Sequence, residues 1–275
     1  MEVRVTGGGP AEPFLAARDL LATERDLELP VVVTVGADPD ERTVVGHLEL
    51  PVVVTVGADP DERTVVGHYD DRHELLVSRR AARSAMAREL ALHEFAHMAR
   101  YEEGHPSHVQ STEEALFVGL AGRSVERRKL SQCYQIANHM KDIYADDITL
   151  DIGPTGKLVS FLESSLASAV ADSPPSVPGE WQRWTAAADP DITAVNAAFA
   201  LALLERHDAI DADHRLYDLA DAAAADAPDV SLASFKRHFR SLGRDPDASE
   251  YRQALVEVTR EYAVGGAADR REAAD

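Results

Sequence analysis

Residues 73–102 read HELLVSRRAARSAMARELALHEFAHMARYE, and the fold turns on how this stretch is parsed. The first six residues form a short apolar run bounded by polar groups and read as a strand. Beyond Arg80 the apolar residues change to helical spacing, which predicts a helix over 81–103. Ala87, Ala91, Phe95 and Met98 lie on one side of that helix, and Leu92, Ala96 and Ala99 on another. A helix that is apolar nearly all round is buried. His93, Glu94 and His97 interrupt it, and buried groups of this kind must be hydrogen-bonded, paired or ligated, because burying an unpaired charge is costly.

The interruption has the spacing H-E-x-x-H. Histidines at i and i+4 stand about 40° apart around a helix, so both imidazoles can reach one metal ion. A glutamate at i+1 then sits beside the water that such an ion would activate, where it can serve as general base. His93 and His97 are therefore candidate metal ligands and Glu94 the candidate catalytic residue. Zinc is the expected cofactor for an imidazole-rich site.

Toward the N-terminus, EVRVT at 2–6 reads as a strand, Gly7–Pro10 as a turn and Pro13–Leu27 as a helix. An exact tandem duplication follows. LELPVVVTVGADPDERTVVGH occupies Leu27–His47 and again Leu48–His68. Each copy reads strand, turn, strand, hence a β-hairpin. Two copies are too few for a solenoid, so one is surplus, and the effective chain is 21 residues shorter than the full 275. The second copy runs directly into HELLVS and the motif helix, which makes the first copy the expected displaced one. His47 and His68 are copies of each other, so only one can belong to an ancestral site.

Toward the C-terminus the chain reads as helical, over 111–128, 130–147, 156–171, 190–207, 213–226, 231–242 and 247–263. The sequence predicts an α+β protein: a small antiparallel sheet, the H-E-x-x-H helix, then a mostly helical C-terminal part. The expected organisation is a metal-binding domain over 1–171, a Pro- and Ser-rich linker over 172–189 containing Trp181 and Trp184, a helical region over 190–263 and a frayed tail over 264–275. Arg123, Arg127, Arg128 and Lys129 are expected at a helix C-terminus, where cations complement the macrodipole.

Composition narrows the function classes. Lys+Arg number 28 against 48 Asp+Glu, a formal charge of −20, and only four of the cations are lysines. An acidic body of this kind repels phosphate backbones, so no nucleic-acid partner is expected. The acidic, lysine-poor surface suits a high-salt cytoplasm, where charge repulsion is screened. A single cysteine, Cys133, excludes an intrachain disulfide and any multi-cysteine metal site; its apolar helical face marks it as packing. The N-terminus lacks the pattern of a signal peptide and no stretch approaches a membrane span, so a soluble, cytoplasmic protein with no membrane partner is expected.

The motif and its surroundings resemble the zincin metallopeptidases over roughly residues 62–150. The metzincin extension would need Gly at position 100 and His at 103, where this chain has Arg100 and Glu103. The gluzincin type places an acidic third ligand on a later helix, and HtpX-like peptidases carry it as E-x-x-A-D. Residues 142–146 read DIYAD, the same pattern with Asp in the ligand position. The resemblance implies that Asp142 binds zinc and that Asp146 hydrogen-bonds a ligand histidine. Asp is one methylene shorter than Glu, and the membrane spans of HtpX-like enzymes are missing. The stretch CYQIANHMKDIYADD also resembles an uncharacterised family of haloarchaeal proteins.

From the residues alone the third ligand stays open. Gln135, Asn138, His139, Asp142 and Asp146 form a polar stripe on the 130–147 helix, opposite an apolar face. His139, Glu113, and the loop residues His105 and His108 compete with Asp142, although a loop histidine is by default a surface residue. Ser111-x-x-Glu114 reads as a capping box. The expected function is a zinc-dependent hydrolase, a soluble metallopeptidase acting on a peptide or protein substrate. The alternative is a non-catalytic zincin-like module that binds metal or a partner. Tyr134, Tyr144 and His139 are candidate oxyanion donors.

Overall fold

A computed structural model describes residues 1–36, 53–56, 64–171 and 189–272. The chain divides into two compact units: Met1–His108 with Ala145–Lys157, and Val109–Tyr144 with Leu158–Asp275. This division cuts the chain differently from the 1–171 and 190–263 regions read from the sequence. The expected linker lies, except for Asp189, outside the described residues, as do Trp181 and Trp184.

The first unit is α+β. Strand β1 (Val3–Gly7) leads into α1 (Glu12–Leu21), and β2 (Val31–Gly36), β3 (Val53–Val56), β4 (Thr64–His68) and β5 (His73–Ser78) follow. The strand order is β1-β2-β5-β4-β3. β1, β2 and β5 run parallel, whereas β5, β4 and β3 pair antiparallel. The sheet is therefore mixed, and the wholly antiparallel expectation is corrected. A strand, a helix and a second strand in sequence form a crossover, which returns the chain parallel to its start. Gly7 sits in that crossover at φ +86°, and a Cβ there would lie 2.3 Å from the Val35 carbonyl oxygen, so only glycine fits.

The duplication resolves differently from expectation. Val31–Gly36, from the first copy, is the interior strand β2, paired on both edges. The second copy supplies β3 at the sheet edge and β4 beside β5. Chain order explains this. The first VVVTV to follow α1 takes the slot beside β1, burying Val31, Val33 and Val35. By the time the identical strand of the second copy is reached, that slot is filled and an edge is what remains. Residues 37–52, including His47, lie outside the described residues.

The helix predicted over 81–103 is two helices, α2 (Arg79–Arg83) and α3 (Ala87–Glu102). The Ser78 hydroxyl caps α2 by accepting from Ala81 N at 3.1 Å, and Ser84 is extended, which breaks the run. α3 is buried from Ala91 to Ala99 save for the half-buried His93. Phe14 and Leu21 of α1, Val31, Val33 and Leu75 of the sheet, and Leu92, Phe95 and Met98 of α3 share one core. Each fully buried side chain of this size contributes about 1.5–3 kcal/mol, which offsets the cost of carrying polar groups inside. α3 is tied down at its last residue, Glu102. Its carboxylate accepts from the backbone N–H of Glu28 at 2.7 Å and of Leu29 at 2.9 Å, and from His73 Nε2 at 2.9 Å.

The second unit is helical. It contains α5 (Thr112–Leu120), α7 (Thr155–Ala171) from Leu158 on, α8 (Pro190–Arg206), α9 (Leu216–Ala225), α10 (Leu232–Arg240) and α11 (Ala248–Glu272). α6 (Arg127–Ile152) is one unbroken helix whose first part belongs to the second unit and whose last turns belong to the first. α5 stops at Leu120, with Gly122 at φ +72° just beyond. Arg127, Arg128 and Lys129 thus open α6 instead of closing a helix, which corrects the macrodipole assignment. Arg128 is compensated by Asp189 at 2.9 Å. α11 continues to Glu272, past the tail expected to fray from 264. Among the described residues, no helix is long and apolar enough to cross a membrane.

Removing one 21-residue copy should leave an α+β fold whose sheet lacks only the edge strand β3. The shortened chain should therefore unfold with the same cooperativity as the full chain; loss of cooperative melting on shortening would contradict the assignment of β3 as surplus. Burial holds the His73 pKa below its ordinary 6.5 against the opposing pull of Glu102. Because the folded value is the lower one, stability present above about pH 6.5 is lost as pH falls through that value and on through the folded one. Urea midpoints should drop more steeply on acidification for the wild type than for His73→Gln.

Candidate metal centre

One turn of α3 separates His93 from His97 and places their rings side by side, centroids 4.6 Å apart and planes at 84°. The two Nε2 atoms face each other at 3.0 Å. Behind His93, its Nδ1 lies 2.7 Å from Asp146 Oδ1 on α6. A carboxylate only accepts, and Asp146 also accepts from the Thr149 hydroxyl at 2.9 Å. His93 therefore donates from Nδ1, which leaves the Nε2 lone pair directed at His97. Behind His97, Nδ1 meets His108 Nε2 at 2.7 Å.

Asp142 stands one helical turn before Asp146 on the same unbroken helix, so α6 itself carries both carboxylates to the same face. His93, His97 and Asp142 each offer one ligand atom, and these atoms lie within 4.8 Å of one another. Two imidazole nitrogens and a carboxylate suit zinc. Glu94 is wholly buried, at 0% exposure, next to His93 in the chain.

The other candidates go elsewhere. His139 stacks on Phe199 with ring centroids 4.4 Å apart, and its Nε2 meets Asn196 Oδ1 at 2.8 Å. Its Nδ1 lies 3.5 Å from Asp142 Oδ2, so it flanks that carboxylate. Glu113, at the exposed start of α5, accepts from the Ser111 hydroxyl at 3.1 Å. Ser111 in turn caps the helix by accepting from Glu114 N at 3.2 Å. Lys141, adjacent to Asp142, is buried, and burial pulls its pKa down against the attraction of Glu113 and Asp142. Tyr134 is exposed, and Tyr144 is buried in edge contact with Tyr251. Burial pushes the Cys133 thiol up to about 12, with a weak contact to the Thr259 carbonyl, in keeping with a packing residue.

His105 and His108 overturn the surface expectation for loop histidines: they are 6% and 9% exposed. Pro106 opens the short helix α4 (Pro106–Val109), which turns both rings inward. The H-x-x-H spacing around a proline was the available signal. His68 is buried too. Its ring stacks on Tyr101 at 3.9 Å, and its Nδ1 lies 2.9 Å from His73 Nδ1.

These features define a class: an α+β protein with a mixed sheet, whose H-E-F-A-H helix meets an aspartate, Asp146, from a second helix. The chain belongs to a family of unknown function, DUF5781, whose model matches residues 1–49 and 47–264. The two matched stretches meet at the junction between the duplicated copies. No curated protein and no solved structure matches the chain.

Proposed function

We propose that this protein is a zinc-dependent hydrolase, and in particular a metallopeptidase of zincin type. The observation that carries the reading is the grouping of His93, His97 and Asp142, with the buried Glu94 next to His93 in the chain. His93, His97 and Asp142 would hold the ion. Zinc in such a site supplies Lewis acidity, polarising a carbonyl and lowering the pKa of a water toward about 7.

The remaining work falls to the chain. Asp146 fixes the orientation of the His93 ring and raises the basicity of its Nε2. Glu94 accepts the proton of the attacking water and returns it to the leaving amine. A site that only binds metal has no need of a base at position 94, which favours catalysis over a structural module. The acidic surface suits a protein working in concentrated salt.

Protein purified without chelators should hold about one equivalent of zinc, or take it up on addition, and cleave a peptide library in molar KCl. Glu94→Gln should keep the metal and lose at least about 100-fold in turnover. Metal retained with no cleavage by the wild type would favour the non-catalytic module, and absence of any metal uptake would end the proposal. Asp146→Ala should weaken zinc binding by about 10–100-fold in chelator competition. Asp142→Ala should reduce it further still.

A further inference from the structure

We infer that His108, Ser107 and His105 form a positioning relay that fixes the tautomer of His97, so that its Nε2 lone pair is presented beside that of His93. The inference rests on reading His93 and His97 as metal ligands, but the relay groups themselves lie in the short segment His105–His108 that follows α3.

The direction of the relay can be read from its far end. The backbone N–H of Ser107 points at His105 Nδ1, 3.3 Å away. A backbone N–H only donates, so His105 Nδ1 is an acceptor and its ring carries its proton on Nε2. The Ser107 hydroxyl lies 2.7 Å from the same Nδ1 and 2.7 Å from His108 Nδ1. Since it donates to His105, it accepts from His108, whose proton is therefore on Nδ1. With that ring neutral, His108 Nε2 is a lone pair, and at 2.7 Å it accepts from His97 Nδ1–H. His97 Nε2 is then unprotonated and faces His93 Nε2 at 3.0 Å.

One backbone amide thus determines, through a hydroxyl and two rings, which nitrogen of His97 is available as a ligand. The participants are buried: Ser107 is 0% exposed and His97 2%. Water is largely kept from scrambling the tautomers, and hydrogen bonds in such a chain polarise one another. Asp146 does the same for His93 with a carboxylate, so the two ligands are prepared by different chemistry. A neutral relay leaves the net charge of the centre unchanged, whereas a second carboxylate would add to it.

The experiment reads tautomers directly. In long-range proton–nitrogen spectra of histidine-labelled, chelator-treated protein, His97 should be protonated at Nδ1 in the wild type. That pattern should be lost in His108→Leu and retained in His108→Gln, whose amide oxygen can accept the same hydrogen bond. Zinc dissociation constants from dye competition should rise about 10–100-fold in His108→Leu and return most of the way in His108→Gln, which loss of packing alone would not produce. If His108→Leu does not fold, Ser107→Ala, which removes only the hydroxyl, should shift the His108 tautomer and weaken zinc about tenfold. His97 protonated at Nε2 in the metal-free wild type overturns the relay, as does wild-type affinity in both folded variants. If the wild type takes up no zinc while its tautomers follow this order, the relay stands and the metallopeptidase reading fails.

Discussion

On the inferred tautomers the Nε2 lone pairs of His93 and His97 face each other across 3.0 Å, and this repulsion is the constraint on which the site depends. Each ring could relieve it by moving its proton to Nε2. Both are prevented, His93 by a carboxylate acceptor and His97 by a relay whose polarity is set by a backbone amide. A cation shared between the two nitrogens would turn the repulsion into attraction. The supports lie on elements far apart in the chain, yet each locks a tautomer of a ring on α3. The helix must in turn be held rigidly, and Glu102 does this by gathering two backbone amides and a buried histidine at its C-terminal end.

The parts legible in the sequence were those that depend on side-chain periodicity. The apolar circumference of 87–99 identified a buried helix, and two histidines with a glutamate on such a helix required partners. The α+β class followed from the order of segments. Strand direction did not follow, because alternation of apolar and polar residues is the same in parallel and antiparallel pairs. The strand–helix–strand order at 2–36 was the cue for parallel pairing, and the hairpin-like repeat masked it. Arg127–Lys129 fall outside α5 because Gly122 at φ +72° follows the end of that helix, whereas the apolar periodicity runs on past it.

The candidate site divides along similar lines. His93, Glu94 and His97 stood out by spacing alone, whereas Asp142 and Asp146 were singled out among several polar residues only through a family resemblance. The sequence places His105 and His108 in a connecting loop, and loops generally lie on the surface. Their burial comes from a single turn of helix begun by Pro106, too short to give any periodic signal. A residue's chemistry can be read in the sequence when its element is long; within four residues, tertiary packing decides.

The duplicated segment is an internal control that few natural chains provide. VVTV occurs at 32–35 and again at 53–56, and in one instance it is threaded between two parallel neighbours while in the other its backbone closes an antiparallel edge. Intrinsic propensity is identical in the two places, so the difference in fate follows from what precedes and follows each copy in the chain. The sheet edge beyond β4 therefore accepts an added strand, as β3 shows, at the end away from β1. That makes it a natural point for this family to gain strands, or for an engineer to graft one, without rewriting the helix that carries the histidines.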